Sequence, residues 1–288
     1  MAETLNISIF PKTQPSICHK KISLVLLHGW GLNSAVWQPF IDSLPDSFFN
    51  DFNIITIDLP GFGNNVNKKI NPYSIDNICQ YIANTVTESA VYLGWSLGGL
   101  IATEMAINYP EKVIGLVTIA SSPYFLEEKG QEKEEKQLIW PGIKAKVLDS
   151  FHHQLQVDIQ KTITNFLKIQ AMGSPHIRQD INKISELVFQ YDMANKTTLE
   201  QSLILLESSD YRQQLSSITQ PFLRLYGDAD SLVPKAVIDK VAQLAPASDF
   251  HRFKQASHAP FISHLDDFTV VLTHWLINRL EVNFVKPN

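Results

Sequence analysis

The stretch Ala90-Val-Tyr-Leu-Gly-Trp-Ser-Leu-Gly98 decides how this chain folds. Its first four residues form a short apolar run, which ends at Gly94. From Leu97 to Tyr109 small residues (Gly98, Gly99, Ala102, Ala106) recur at a spacing that lets a helix lie close against a sheet, and Pro110 stops the pattern. The order is therefore strand, tight turn, helix, with Ser96 at the turn. G-x-S-x-G in this context holds a serine in a strained conformation above the sheet, and side chains two positions to either side would collide there. Ser96 then stands at a helix N-terminus, whose free N–H groups and dipole favour developing negative charge. It is the candidate nucleophile.

Working outward, Ile22–Leu27, Phe52–Ile57, Val113–Ile119 and Pro221–Tyr226 are apolar runs of the same kind, and Asp249–Phe253 is a weaker one. Strands without polar alternation belong to a sheet covered on both faces, hence parallel and of the α/β class. Val233–Leu244 and Leu265–Leu280 read as sheet-covering helices, with Pro234 where a first helical turn tolerates it. Between Pro123 and Leu215 no strand is apparent. Leu138–Leu155, Val157–Met172, His176–Tyr191 and Thr198–Glu207 read as amphipathic helices, and so long a segment exceeds an ordinary connection. The reading is a core of residues 1–122 and 216–288 carrying a helical cap of residues 123–215. The charge run Glu127–Lys136 leads into the cap as a solvated segment.

A chain of 288 residues allows one or two domains, and 44% hydrophobic against 18% charged residues is enough to bury a large core. The balance of 24 Lys+Arg and 29 Asp+Glu gives a net charge of −5, which argues against a general nucleic-acid binder. Two cysteines, Cys18 and Cys79, exclude a disulfide scaffold and a four-cysteine zinc site. No targeting segment and no membrane-length apolar run is visible, so the expectation is a soluble, cytoplasmic, monomeric protein.

A serine hydroxyl is a poor nucleophile without a base, and in a fold of this order the acid and then the histidine follow it along the chain. Asp230 stands at the end of Leu223-Arg-Leu-Tyr-Gly-Asp-Ala-Asp230 just before a helix and is the favoured acid; Asp228 is its competitor. His258, in Ser257-His-Ala-Pro-Phe261, lies on a loop after the last strand and is the favoured base. The remaining histidines have neither metal-site spacing nor a Cys/His cluster, so no metal and no cofactor is implied. Leu27-His-Gly-Trp-Gly31 shapes a loop after an early strand that supplies one oxyanion N–H, from Trp30. The residue after the nucleophile, Leu97, supplies the other.

These motifs together resemble the α/β-hydrolases over essentially the whole chain. Narrower pieces are Ala120-Ser-Ser-Pro123, Trp140-Pro-Gly-Ile143, Phe166-Leu-Lys-Ile-Gln170 with Met172-Gly173, and Ala259-Pro-Phe-Ile-Ser-His264. They resemble the biotin-pathway esterases that demethylate pimeloyl-[acyl-carrier protein] methyl ester. The resemblance implies an α/β-hydrolase fold: a mostly parallel central sheet, helices on both faces, and a helical cap inserted after the sixth strand. It implies a Ser96–His258–Asp230 triad and an oxyanion hole at Trp30 and Leu97. Substrate contacts would come from Trp30, Ser96, Leu97, Phe166, Leu167, Lys168, Ile169, Gln170 and His258. The implied partner is an acyl-carrier protein, docked on basic cap residues that here include Lys161 and Arg178. Asn165 and Asn182 stand where further arginines are expected, with Lys183 adjacent, so this patch is reduced. A broad carboxylesterase, a C–C or amide hydrolase on the same triad, and a silent binding protein are the alternatives.

Overall fold

A computed structural model describes residues 3–12, 21–130 and 138–280 of the chain. Most of the charge run before the cap (131–136) and Cys18 lie outside these residues.

The strands of the main sheet are β1 (Ile7–Phe10), β2 (Ile22–Leu27), β3 (Phe52–Ile57), β4 (Ala90–Trp95), β5 (Val113–Ile119), β8 (Phe222–Gly227) and β9 (Asp249–Phe253). A short antiparallel pair, β6 (Glu128–Lys129) and β7 (Leu138–Trp140), stands apart. Outside the cap the helices are α1 (Gln38–Ser43), α2 (Phe48–Asp51), α3 (Ile75–Thr85), α4 (Leu97–Asn108), α9 (Ala236–Leu244), α10 (Pro260–Ser263) and α11 (Leu265–Arg279). Between β7 and β8 run α5 (Ala145–Val157), α6 (Ile159–Ala171), α7 (Ile177–Val188) and α8 (Lys196–Ser208).

The sheet order is β1-β3-β2-β4-β5-β8-β9; β1 pairs antiparallel to β3 and every other pairing is parallel. Every residue of β4 is buried, so this central strand is covered on both faces. Parallel strands put all their C-terminal ends on one edge. The loops after β2, β4, β8 and β9 therefore meet there, at the place where open α/β sheets carry ligands.

The sequence reading of the strands needs three corrections. Ile7–Phe10 is a strand at the sheet edge that apolar runs do not reveal, because its residues are only partly buried. Leu138 does not begin a helix: Leu138–Trp140 pairs with Glu128–Lys129, and Pro141 delays the helix to Ala145. The helical segment follows β5, the fifth strand of the main sheet in chain order among the described residues rather than the sixth, because a single strand precedes the parallel ones.

The cap helices and the sheet share one apolar cluster. Phe151, Ile163, Phe166, Leu199 and Leu203 from the helical segment belong to the same buried set as Trp30, Trp95 and the strands. A shared core holds the cap against the sheet edge by burial of apolar area, about 25 cal/mol for each Å² removed from water.

Candidate active site

The turn between β4 and α4 places Ser96 at φ 55°, ψ −117°, a region that residues with a side chain rarely adopt. The flanking glycines are required, though the collision they avoid lies between backbones rather than at the serine itself. A Cβ on Gly94 would stand 2.0 Å from the Gly98 carbonyl oxygen, and one on Gly98 would stand 2.4 Å from that of Leu27. The turn is held from the neighbouring strand: Ser96 N–H donates to Ile119 O (3.0 Å) and Ser121 Oγ donates to Ser96 O (2.9 Å). Ser96 is the N-cap of α4 without a capping side-chain bond, so its hydroxyl is not committed to the helix. Leu97 opens that helix, where N–H groups have no intrahelical acceptor.

His258 and Asp230 are brought together. His258 Nδ1–H donates to Asp230 Oδ2 at 2.8 Å, and both side chains are almost wholly buried. The other carboxylate oxygen, Oδ1, accepts from Leu232 N (2.8 Å) and Val233 N (3.0 Å). With a carboxylate accepting at Nδ1, that nitrogen carries the proton and Nε2 presents its lone pair. Nε2 is buried and makes no hydrogen bond. Asp228 takes no part: its nearest charged partner is Arg252, whose Nε lies 3.4 Å from Oδ1.

The backbone of His258 is pinned from two sides. Its N–H donates to Gln170 O on α6 (3.0 Å), and its carbonyl accepts from Trp95 Nε1 (2.8 Å). Neither support is legible in the sequence. Trp95 is the unspecified position of G-x-S-x-G, and Gln170 acts through its main chain.

Trp30 is fully buried beneath the cap. Its ring meets Phe166 edge-on at 4.8 Å and Phe151 at 6.2 Å, and Nε1–H donates to Leu199 O at 3.0 Å. Of the five cap residues expected to line a substrate channel, Phe166, Leu167 and Gln170 are buried, as the helical period dictates. Lys168 is not brought to the site: it points to solvent, with Nζ near Asn165 Oδ1. Ile169 is half-buried. Both side-chain polar atoms of Gln170 are buried without a partner, so they are free to meet a polar group of a ligand. Lys161 and Arg178 are both exposed on separate helices.

His28, beside Trp30, has both ring nitrogens engaged. Nδ1–H donates to Gly29 O (2.8 Å) and Nε2 accepts from Leu59 N–H (2.9 Å). Burial holds its pKa below the ordinary value, against opposing contributions from Asp58 and the Gly29 carbonyl. It braces the loop instead of working on a substrate.

Residues 22–265 match the family described as alpha/beta hydrolase fold. The chain belongs to the α/β-hydrolases. It is 43% identical over 259 residues to the pimeloyl-[acyl-carrier protein] methyl ester esterase of Shewanella woodyi, covering 88% of this chain and 93% of that protein. It is 44% identical over 253 residues to the protein of the same name from Photobacterium profundum, covering 88% and 94%. Among solved structures, an esterase from Exiguobacterium antarcticum superposes with a TM-score of 0.76 at 19% identity, over 96% of this chain and 99% of that one. The enol-lactonase of Burkholderia xenovorans gives 0.75 at 16%, over 94% and 96%. At such identities the structural matches establish the fold alone. As an α/β-hydrolase the protein carries its Ser96, Asp230 and His258 at the ends of β4, β8 and the loop after β9. Among the described residues no helix is long and apolar enough to cross a membrane.

Proposed function

We propose that this α/β-hydrolase is a serine carboxylesterase that cleaves the methyl ester of pimeloyl-[acyl-carrier protein], releasing methanol and the free carboxylate for biotin synthesis. The observation that carries the chemistry is the buried His258, bound to Asp230 through Nδ1 with Nε2 unpaired. The substrate reading rests on relatives of that name at 43% and 44% identity.

In this reading His258 Nε2 takes the Ser96 hydroxyl proton as Oγ attacks the ester carbonyl, and Asp230 stabilises the imidazolium. The N–H groups of Trp30 and Leu97 receive the oxyanion; each such donor is worth about 3 kcal/mol in the transition state. The C–O bond to methanol breaks as His258 returns the proton to it. Water then attacks the acyl-serine with the same proton relay and frees the carboxylate. The acyl chain runs between core (1–122, 216–288) and cap (123–215), along Trp30, Phe166 and Leu167, with the Gln170 amide as a polar contact. Lys161 and Arg178 provide cap cations for the carrier. The enzyme works as a monomer in the cytoplasm, the compartment of carrier-bound acyl chains.

The test is methanol release from methyl pimeloyl-[acyl-carrier protein] beside a panel of small soluble esters, with growth of a biotin-requiring strain that lacks its own demethylating esterase. The proposal expects turnover of the carrier substrate and restored growth. Turnover of small esters alone would make the protein a broad carboxylesterase.

A further inference from the structure

Arg224, in the middle of β8, is 1% exposed and is the only lysine or arginine buried among the described residues. A guanidinium taken out of water needs a counter-charge and an acceptor for each of its N–H groups. Nε–H donates to Ser248 Oγ (2.9 Å), and Nη1 donates to Tyr226 Oη (3.3 Å) and Ile238 O (3.2 Å). Nη2 has no hydrogen bond among the described residues, so both of its protons are left over. The rings of Phe250 and Tyr226 lie 5.3 and 5.8 Å from Cζ and add cation–π attraction, but no charge. The neighbouring carboxylates are engaged elsewhere. Asp249 pairs with Arg279 (2.7 Å), Asp228 with Arg252 (3.4 Å), and Glu104 on α4 accepts from Asn108 (2.7 Å). The Tyr226 phenol is no counter-charge either: burial raises its pKa, against the opposing pull of Arg224, and it keeps its proton.

Arg224 borders a small cavity of about 10 Å³ among β5, β8, α4 and α9. Thr118 of β5 is its register partner, and Tyr226 stands two residues further along β8. All three side chains are therefore on one face of the sheet, and all three line the cavity. The Thr118 hydroxyl has no hydrogen-bond partner among the described residues. Thr103, Ser121 and Ser122 complete the polar wall, but their hydroxyls already donate to Gly99 O, Ser96 O and Tyr124 O. The donors left for a ligand are Arg224 Nη2, Tyr226 Oη and Thr118 Oγ1. A space of this size admits one water or one monatomic ion, and it excludes carboxylates, phosphate and sulfate.

We propose that this cavity is a halide site, in which Arg224, Tyr226 and Thr118 hold a chloride ion as the counter-charge of the buried guanidinium. A water molecule would satisfy the donors but leave the charge unbalanced. An anion satisfies both. The site adjoins the turn of Ser96 through Ser121, which lines the cavity and donates to Ser96 O at 2.9 Å. The ion therefore braces the turn from the far side of that contact and stabilises the core without meeting a substrate.

The experiment follows thermal unfolding in sodium gluconate, with chloride exchanged in from about 1 to about 100 mM at constant ionic strength. A ligand of the folded state raises Tm with the logarithm of its concentration. Tm should climb by about 3 °C for each tenfold increase above the dissociation constant, and bromide should act like chloride. Thr118→Val and Tyr226→Phe each remove one donor and keep the shape of the cavity. Each should move the climb to chloride concentrations about tenfold higher. Crystals grown in bromide should show its anomalous signal beside Arg224. A Tm indifferent to halide would overturn the site, as would a climb that both variants keep at the wild-type concentrations. A bromide crystal without signal in the cavity would also overturn it and assign the space to water. None of these readouts uses an ester, so the esterase reading stands or falls separately.

Discussion

The backbone N–H of His258 donates to the carbonyl of Gln170 across 3.0 Å, so a cap helix directly holds the residue proposed as general base. The contact is completed one turn further on. Gly173, at φ 92°, lies where a Cβ would approach the Ala229 Cβ and carbonyl oxygen to 2.7 Å, and Ala229 precedes Asp230. Gly173→Ala therefore forces a residue with a side chain into a left-handed conformation and pushes the end of α6 away from β8. The expected cost is about 1–3 kcal/mol of stability. A loss of kcat should exceed that of Ala145→Gly at the exposed start of α5. Thermal unfolding and steady-state kinetics on a small ester measure both. Unchanged kcat would show that the cap does not position the base.

Asp230 and Asp228 are two residues apart and differ in every contact that matters. Asp230 accepts from His258 and from two backbone amides, while Asp228 faces the half-exposed Arg252. Asp230→Asn keeps the shape but disfavours the tautomer with its proton on Nδ1, and should lower kcat by about 10⁴. Asp228→Asn should stay within about threefold of wild type. The two variants assayed side by side on one ester decide the matter, and the opposite order would exchange the roles.

Ser96 carries strain that only its hydroxyl justifies. Ser96→Gly removes both the proposed nucleophile and the penalty of φ 55°, ψ −117°. Relief of about 1–3 kcal/mol is set against about 0.5–1 kcal/mol for the freer unfolded chain. The variant should be inactive and about 1 kcal/mol more stable by denaturant titration. Ser96→Ala should be equally inactive without the gain. A glycine variant no more stable than the alanine one would mean that the turn stores no strain.

The sheet and the residues of the proposed triad are legible in the sequence because each leaves a local mark. Ile22–Leu27, Phe52–Ile57, Val113–Ile119 and Asp249–Phe253 are strands over the lengths that their apolar runs suggest. Ser96, Asp230 and His258 each follow a strand. What is not legible depends on tertiary placement. Leu138-Ile-Trp140 looks the same in a helix as in a strand, and only pairing with Glu128–Lys129 decides it. Lys168 belongs to a contiguous motif but not to the buried face of α6, since the helical period separates it from Phe166, Leu167 and Gln170.

His28 links the loop of Trp30 to acid stability. Its folded-state pKa lies below the ordinary 6.5, chiefly through burial, with Asp58 and the Gly29 carbonyl opposing. A base with a lowered folded pKa binds fewer protons folded than unfolded. Stability is therefore fully present above pH 6.5 and declines as the pH falls from there towards the folded value. Protonation would also put a second N–H against that of Leu59, breaking the brace beneath Trp30. His251, likewise lowered, adds a change in the same direction, so the informative quantity is the difference from a variant. His28→Gln keeps an acceptor for Leu59 N–H and removes the titration. It should cost about 1–2 kcal/mol at pH 8 but lose visibly less stability than the wild type between pH 6.5 and 5. Parallel curves of Tm against pH for the two proteins would place the acid sensitivity elsewhere in the molecule.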